Sequence, residues 1–441
     1  MKNKFLDYLL FPYIFLVIYF VYRTSQSLPP FHDEVVSLSA NIGFFLNNLN
    51  FEGPKGTIYE GLYSPFLSSP PLSAVGSAVG WIFTENLNLI RLSNFIYIAL
   101  VQVILGYFIS KIYDLKFKKV IYFSIFSLIS FPFWFGSIYS LGETISIVLF
   151  FNAILLYKYY PKTSILMMGS VLFFGKLITG VLFIFFYLSN LFVTKKIKNV
   201  PIEIFTYLLP SAVWISIVML KSDYKDLQEY VAHFIIWWEY ISGTVGNLNI
   251  FESINYLNIY SNFQDSEVQN WNLSVKLRVF LPPIFLFFLL IIKKGSKMML
   301  TFNQLITLFF GLAPIFGWYV FLAKEKPVLY TSYFTFSVLM FCCYLLSRKK
   351  LEIDIVNNIA FFIVCLYMTS EILFVIGVIL LILINFNNKF NYGIIVPLIL
   401  ISLINSTFEI SREYKYNVDL SECNNEISSN YCWQYLINIQ K

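Results

Sequence analysis

TSILMMGSVLFFGKLITGVLFIFFYLSNLFV, residues 163–193, is an almost unbroken apolar run with a single charge, Lys176, near its middle. Lysine and arginine in short loops favour the cytoplasmic side of a membrane. Read as one crossing, the run would place Lys195, Lys196 and Lys198 on the opposite face from the basic residues at 158–162. Two short helices meeting near Gly175-Lys176 keep both clusters on one side. That puts Lys176 at the outer end of a short hairpin, below the membrane surface, where a lysine is costly unless it has a partner or reaches water.

The rest of the chain has the same character. Of its 441 residues 58% are hydrophobic and 13% charged, with a mean hydropathy of +0.69. That composition excludes an ordinary soluble domain. Apolar runs recur from Phe11 to Ile404, and at roughly 20 residues per crossing they amount to about thirteen transmembrane helices. The expected fold class is an all-α polytopic membrane protein. Lys2 and Lys4 precede the first apolar stretch, and no small-residue cleavage site follows it, so the stretch reads as a retained first helix. The net charge of +6 comes from basic residues clustered between apolar runs, which orients the chain in a bilayer and does not call for a nucleic acid.

Basic clusters at 111–119, 158–162, 195–198, 293–297 and 348–350 mark the cytoplasmic side. With the N-terminus also inside, an even number of crossings separates successive clusters. Residues 1–404 then form the transmembrane domain of a multi-pass inner-membrane protein. Two long segments face outward, 23–91 and 221–278, with shorter outward turns at 140–143, at Lys176, at 324–326 and at 370–371. The tail, 405–441, ends outside, where Cys423 and Cys432 are placed to form a disulfide. No internal repeat is evident, unlike the inverted repeats of many transporters.

The first outer loop begins SLPPFHDEVVSLSANIGFF, residues 27–45. Val35, Leu38, Ile42 and Phe45 fall on one face at helical spacing, which predicts an amphipathic helix lying on the membrane. Asp33 is its natural N-cap, and Glu34 lies in its first turn. Acidic residues favour helix N-termini on capping and dipole grounds alone, so Asp33 and Glu34 carry two readings, as a cap or as chemistry. Further on come Tyr63-Ser64-Pro65-Phe66 and Ser69-Pro70-Pro71-Leu72, a second apolar surface segment reaching Phe83, and a crossing that starts near Arg91.

This order resembles the GT-C superfamily of membrane glycosyltransferases, which includes protein O-mannosyltransferases and the aminoarabinose and related lipid A or polysaccharide sugar transferases. In that family a first helix leads to an outer loop with an acidic motif, a surface helix and a Pro-Pro-Leu-like turn. Here His32-Asp33-Glu34 and Pro70-Pro71-Leu72 stand in those places. The resemblance extends to an acidic residue in the next outer turn, Glu143 within Ser140-Leu141-Gly142-Glu143-Thr144, and to a lysine followed by small residues, Gly175-Lys176-Leu177-Ile178-Thr179-Gly180. A late turn, Lys324-Glu325-Lys326-Pro327-Val328-Leu329-Tyr330, resembles the family's lysine-to-tyrosine turn.

The resemblance implies transfer of a sugar from a polyprenyl-phosphate donor to a hydroxyl of a lipid, glycan or protein acceptor on the extracytoplasmic face. Such a reaction needs a base for the acceptor proton, with Asp33 the candidate. It needs a second carboxylate, Glu34 or Glu143, to orient the acceptor or hold a divalent metal ion. It also needs fixed positive charge where the phosphate departs, for which Lys176, Lys324, Lys326 and Arg91 are candidates, with Tyr330 beside them in the late turn. Lys324 and Lys326 equally fit interfacial anchors that snorkel to headgroups among the membrane lipids. His32 with Glu34 is the candidate metal pair. The rival is a transporter or flippase of lipid-linked saccharide, for which Pro132, Pro210, Pro282, Pro283 and Pro314 would supply broken helices.

Overall fold

The computed structural model describes residues 2–27, 34, 37–38, 71–73, 75–84, 86–130, 133–194, 199–221, 225–232, 235, 273–292, 309, 312–313, 332–348 and 355–367. Every regular element among them is helical. The helices are α1 (Lys2–Ser27), α2 (Val75–Phe83), α3 (Leu87–Ile112), α4 (Phe117–Ile129), α5 (Phe133–Ile138), α6 (Gly142–Tyr157), α7 (Pro161–Phe174), α8 (Leu177–Thr194), α9 (Val200–Lys221), α10 (Leu273–Ile292), α11 (Ser332–Leu346) and α12 (Ile355–Leu366). A single 3-10 turn, Pro71–Ser73, precedes α2.

Among the described residues α3 and α9 are long and apolar enough to cross a bilayer, with mean hydropathies of 1.9 and 1.7, and most of each is left uncovered by the rest of the protein. The outward residues are large and apolar. Phe15, Leu100, Phe192, Phe205 and Leu220 are all exposed, while Asn94, Gln102, Ser124, Ser146 and Asn152 are buried. This inverted distribution, apolar outside and polar inside, suits a bundle whose solvent is lipid.

Helix α6 is the centre of the bundle. Nearly every side chain from Gly142 to Leu156 is buried, against α3, α5, α7, α8, α11 and the 3-10 turn. At 1.5 Å per residue it is only about 24 Å long. Because it meets protein on all sides, it needs no full-length lipid-facing surface. Midway along it, Asn152 Nδ2 donates to Gln102 Oε1 (2.8 Å) and Tyr344 OH donates to Asn152 Oδ1 (3.1 Å). Gln102 Nε2 closes the ring by donating to Tyr344 OH (2.9 Å). Three helices, α3, α6 and α11, are thereby held in one register by groups that find no water in that environment.

The break expected at Gly175-Lys176 is present, since α7 stops at Phe174 and α8 starts at Leu177. Helix α7 opens on Pro161, whose missing N–H costs nothing in a first turn. It packs closely on α9, where a Cβ on Gly169 would lie 2.1 Å from the Tyr207 carbonyl oxygen. The prolines behave less uniformly than the sequence suggested. Helix α4 ends at Ile129 with Ser130 in extended backbone, and α5 begins at Phe133; Pro132 lies outside the described residues. Pro210 and the Pro282-Pro283 pair sit inside continuous helices, as neighbouring helices in membranes allow. Pro314 lies outside the described residues. The predicted surface helix is represented by Glu34, Ser37 and Leu38, all helical and buried. Helix α10 begins at Leu273, so Lys276 and Arg278 belong to its first turns and not to the preceding loop.

The bundle has two distinct ends. At one, Tyr113 OH donates to the Leu155 carbonyl (2.9 Å) and the Lys116 amide donates to Ser347 (2.8 Å). The basic stretches 111–119 and 158–162 and Arg348 therefore share that end. The other end holds the last turn of α1 and the first turns of α3, α6 and α8.

Candidate active site

Four of the sequence-predicted residues are described, and they form two ion pairs at that second end. Glu34 meets Arg91 bidentately. Arg91 Nε donates to Oε1 and Nη2 to Oε2, each at 2.7 Å. Arg91 Nη1 donates to the Ser25 carbonyl at the end of α1 (2.8 Å). The guanidinium also lies 4.8 Å from the centre of the Tyr139 ring. Both charged side chains are 1% exposed. Helix α3 delivers Arg91 through a capped start, since Asn86 Oδ1 accepts from the amides of Asn88 (3.0 Å) and Leu89 (3.4 Å).

The second pair is Lys176 with Glu143, Nζ to Oε1 at 3.1 Å. Its environment differs. Lys176 is 27% exposed and reaches the surface. Three features hold it: the Lys176 amide donates to Ser146 Oγ (2.8 Å), its stem lies over Gly142, and its ammonium meets Glu143. A Cβ on Gly142 would sit 3.0 Å from Lys176 Cγ. Glu143 is in the first turn of α6, where a carboxylate is favoured by the helix dipole. Among the described residues its Oε2 is buried and has no hydrogen-bond partner, while its Oε1 meets the ammonium. The lysine foreseen as needing a partner has one.

The turn before α6 connects the two pairs. Ser140 adopts φ = 58°, a left-handed conformation unusual for a residue with a side chain. It is held there by Ser37 Oγ, which donates to the Ser140 carbonyl (2.9 Å), and by Ser77 Oγ, hydrogen-bonded to Ser140 Oγ. Ser37 and Ser73 hydroxyls lie 3.3 Å apart, and Asn94 Nδ2 donates to the Ser137 carbonyl (3.1 Å). The 3-10 turn, at the Pro70-Pro71-Leu72 motif, packs on α6 and α7. Nothing in the sequence singled out Ser37, Ser77 or Tyr139, and Ser140 entered only as the start of the turn before Glu143. The one available signal was Gly142, a glycine beside an acidic helix start.

His32, Asp33, Lys324, Lys326 and Tyr330 lie outside the described residues, as do the tail 405–441 with Cys423 and Cys432, and most of 221–278. Among the described residues no three histidine, cysteine, aspartate or glutamate side chains group as a metal site. Cys342 and Cys343 are buried thiols in α11.

Fold and site together define an all-helical membrane protein with a charged, partly open cluster at one end of the bundle. The chain is similar to the crystal structure of ArnT from Cupriavidus metallidurans bound to undecaprenyl phosphate, with a TM-score of 0.52 and 9% identity over 99% of this chain and 85% of that one. At that identity the likeness is one of fold. No protein-family model matches the chain, and no curated protein matches it.

Proposed function

We propose that the protein is a membrane glycosyltransferase that moves a sugar from a polyprenyl-phosphate donor to a hydroxyl of a lipid, glycan or protein acceptor, on the extracytoplasmic face of the membrane. The observation that carries this reading is the Lys176–Glu143 pair. It puts a solvent-reaching ammonium beside a carboxylate with an unused buried oxygen, in a chain whose fold is shared with a protein crystallised with undecaprenyl phosphate.

In the proposed reaction Asp33 accepts the acceptor's hydroxyl proton. The acceptor oxygen bonds to the anomeric carbon as the bond from that carbon to the phosphate oxygen breaks, and polyprenyl phosphate leaves with the electron pair. Lys176 faces the charge that grows on the leaving phosphate, where a fixed cation stabilises the transition state more than the ground state. Glu143 orients the Lys176 ammonium through its Oε1. Lys324, Lys326 and Tyr330 are proposed to border the donor phosphate from the late outer turn. A divalent metal ion held by Glu34 and His32 is not needed for any of these steps, and both Glu34 oxygens already accept from Arg91.

The test is reconstitution in liposomes with labelled sugar on undecaprenyl phosphate and a panel of hydroxyl acceptors. Wild type should transfer label, and Asp33→Asn should lower the rate by about 100-fold or more. Unchanged transfer by Asp33→Asn removes Asp33 as the base. Movement of intact donor across the bilayer, without transfer to any acceptor, replaces the enzyme reading with that of a flippase.

A further inference from the structure

The short helical segment around Glu34 is tied to the rest of the polar end at two points one helical turn apart. Glu34 is gripped by Arg91, and Ser37, three residues on and so on the same helical face, donates to the Ser140 carbonyl. Both ties land on the same short turn. The Arg91 guanidinium lies over Tyr139 and Ser37 holds Ser140, and Glu143 follows three residues later in the first turn of α6. Arg91 also reaches the end of α1 through the Ser25 carbonyl.

Arg91 is poorly suited to touch a substrate. Each of its three guanidinium nitrogens donates within the protein, and the side chain is 1% exposed. Nor is a buried ion pair an efficient way to add stability, because desolvation offsets most of the attraction. A forked guanidinium meeting a carboxylate in two parallel bonds does fix geometry.

We propose that the Glu34–Arg91 pair is a positioning clamp. It holds the helical segment around Glu34, the residue that follows Asp33 in the sequence, in register with the 139–140 turn, and through that turn with Glu143 and Lys176. Glu34 and Arg91 are positioning residues, neither of them in contact with donor or acceptor. What they position rests on the glycosyltransferase reading; the mechanical coupling of the two segments does not.

The experiment uses the full chain in lipid nanodiscs as wild type, Glu34→Gln and Arg91→Lys, with thermal unfolding as a check of folding. Glu34→Gln keeps one acceptor for the guanidinium; Arg91→Lys keeps the charge and loses the fork. Three readouts are taken: undecaprenyl phosphate binding, sugar transfer, and amide hydrogen exchange at 34–38 and 137–141. Both variants should bind undecaprenyl phosphate within about twofold of wild type while kcat falls about tenfold or more, since small misplacements of reacting groups cost rate and not ground-state affinity. Exchange should rise at both segments together.

Loss of undecaprenyl phosphate affinity in step with activity would overturn the proposal by making the pair a donor contact. Unchanged kcat would overturn it by leaving nothing to position. Faster exchange at 34–38 with 137–141 unchanged would overturn the coupling. Should wild type neither bind undecaprenyl phosphate nor transfer sugar, the glycosyltransferase reading fails alone, and the exchange result still decides the clamp.

Discussion

Arg91→Met exposes how the polar end is held together. In the native protein the guanidinium and the Glu34 carboxylate are each 1% exposed and joined by two bonds of 2.7 Å. Unit charges about 4 Å apart attract by about 4 kcal/mol at an effective dielectric of 20. Each ion forfeits several kcal/mol on leaving water, so the intact pair nets little. Removing one partner is much worse than that net value suggests. Methionine replaces the apolar volume but leaves a buried carboxylate with neither of these donors, a loss of about 3–5 kcal/mol. Glu34→Leu combined with Arg91→Met removes both charges of the pair together, and the Ser25 carbonyl loses its Arg91 donor at a cost of about 1 kcal/mol. The double variant should therefore be more stable than Arg91→Met alone. Equilibrium unfolding by denaturant in detergent micelles, run as a double-mutant cycle, measures this. A cost below about 1 kcal/mol for Arg91→Met, or a double variant equal to the sum of its singles, would refute the reasoning by showing a carboxylate that reaches water.

Three other outcomes follow from the same geometry. Gly142→Ala should leave stability within about 1 kcal/mol of wild type, since alanine's better helix propensity offsets part of the cost of the lost Lys176 contact to Glu143. It should nevertheless weaken undecaprenyl phosphate binding, as Lys176→Gln does, because the new Cβ would meet Lys176 Cγ at 3.0 Å and turn the ammonium away from Glu143; calorimetric titration reads both variants. Asn152→Leu leaves Gln102 Oε1 and Tyr344 OH each short of a partner at the centre of the bundle. It should cost about 1–3 kcal/mol in the same unfolding assay. Gly169→Ala should destabilise more than typical surface changes, by about 2 kcal/mol or more, because the obstruction is the Tyr207 carbonyl, which is backbone and cannot rotate aside.

Much of the architecture was legible because its causes are local. An apolar run long enough for lipid becomes a helix whatever surrounds it, since lipid offers no partner for a free amide or carbonyl. The division at Gly175-Lys176 followed from charge parity, and α7 and α8 stop and start beside it. The prolines were less legible. Pro210 and Pro282-Pro283 sit within unbroken helices, because whether a proline breaks a membrane helix depends on what neighbours supply to the freed carbonyl, and that is not written beside the proline.

The candidate site divides the same way. Sequence alone led to the expectation that Glu34, Arg91, Glu143 and Lys176 stand at helix ends on one side, since each terminates or interrupts an apolar run, and the structure brings the four to one end of the bundle. Sequence did not determine their pairing. Arg91, expected as a phosphate cation, is bound to Glu34, 57 residues away in sequence, while Lys176 faces Glu143 with solvent at hand. Attraction between charges depends on distance and on exclusion of water, and both are properties of the packed bundle. Only the tertiary structure could decide which cation is locked inside the protein and which stays available to a ligand.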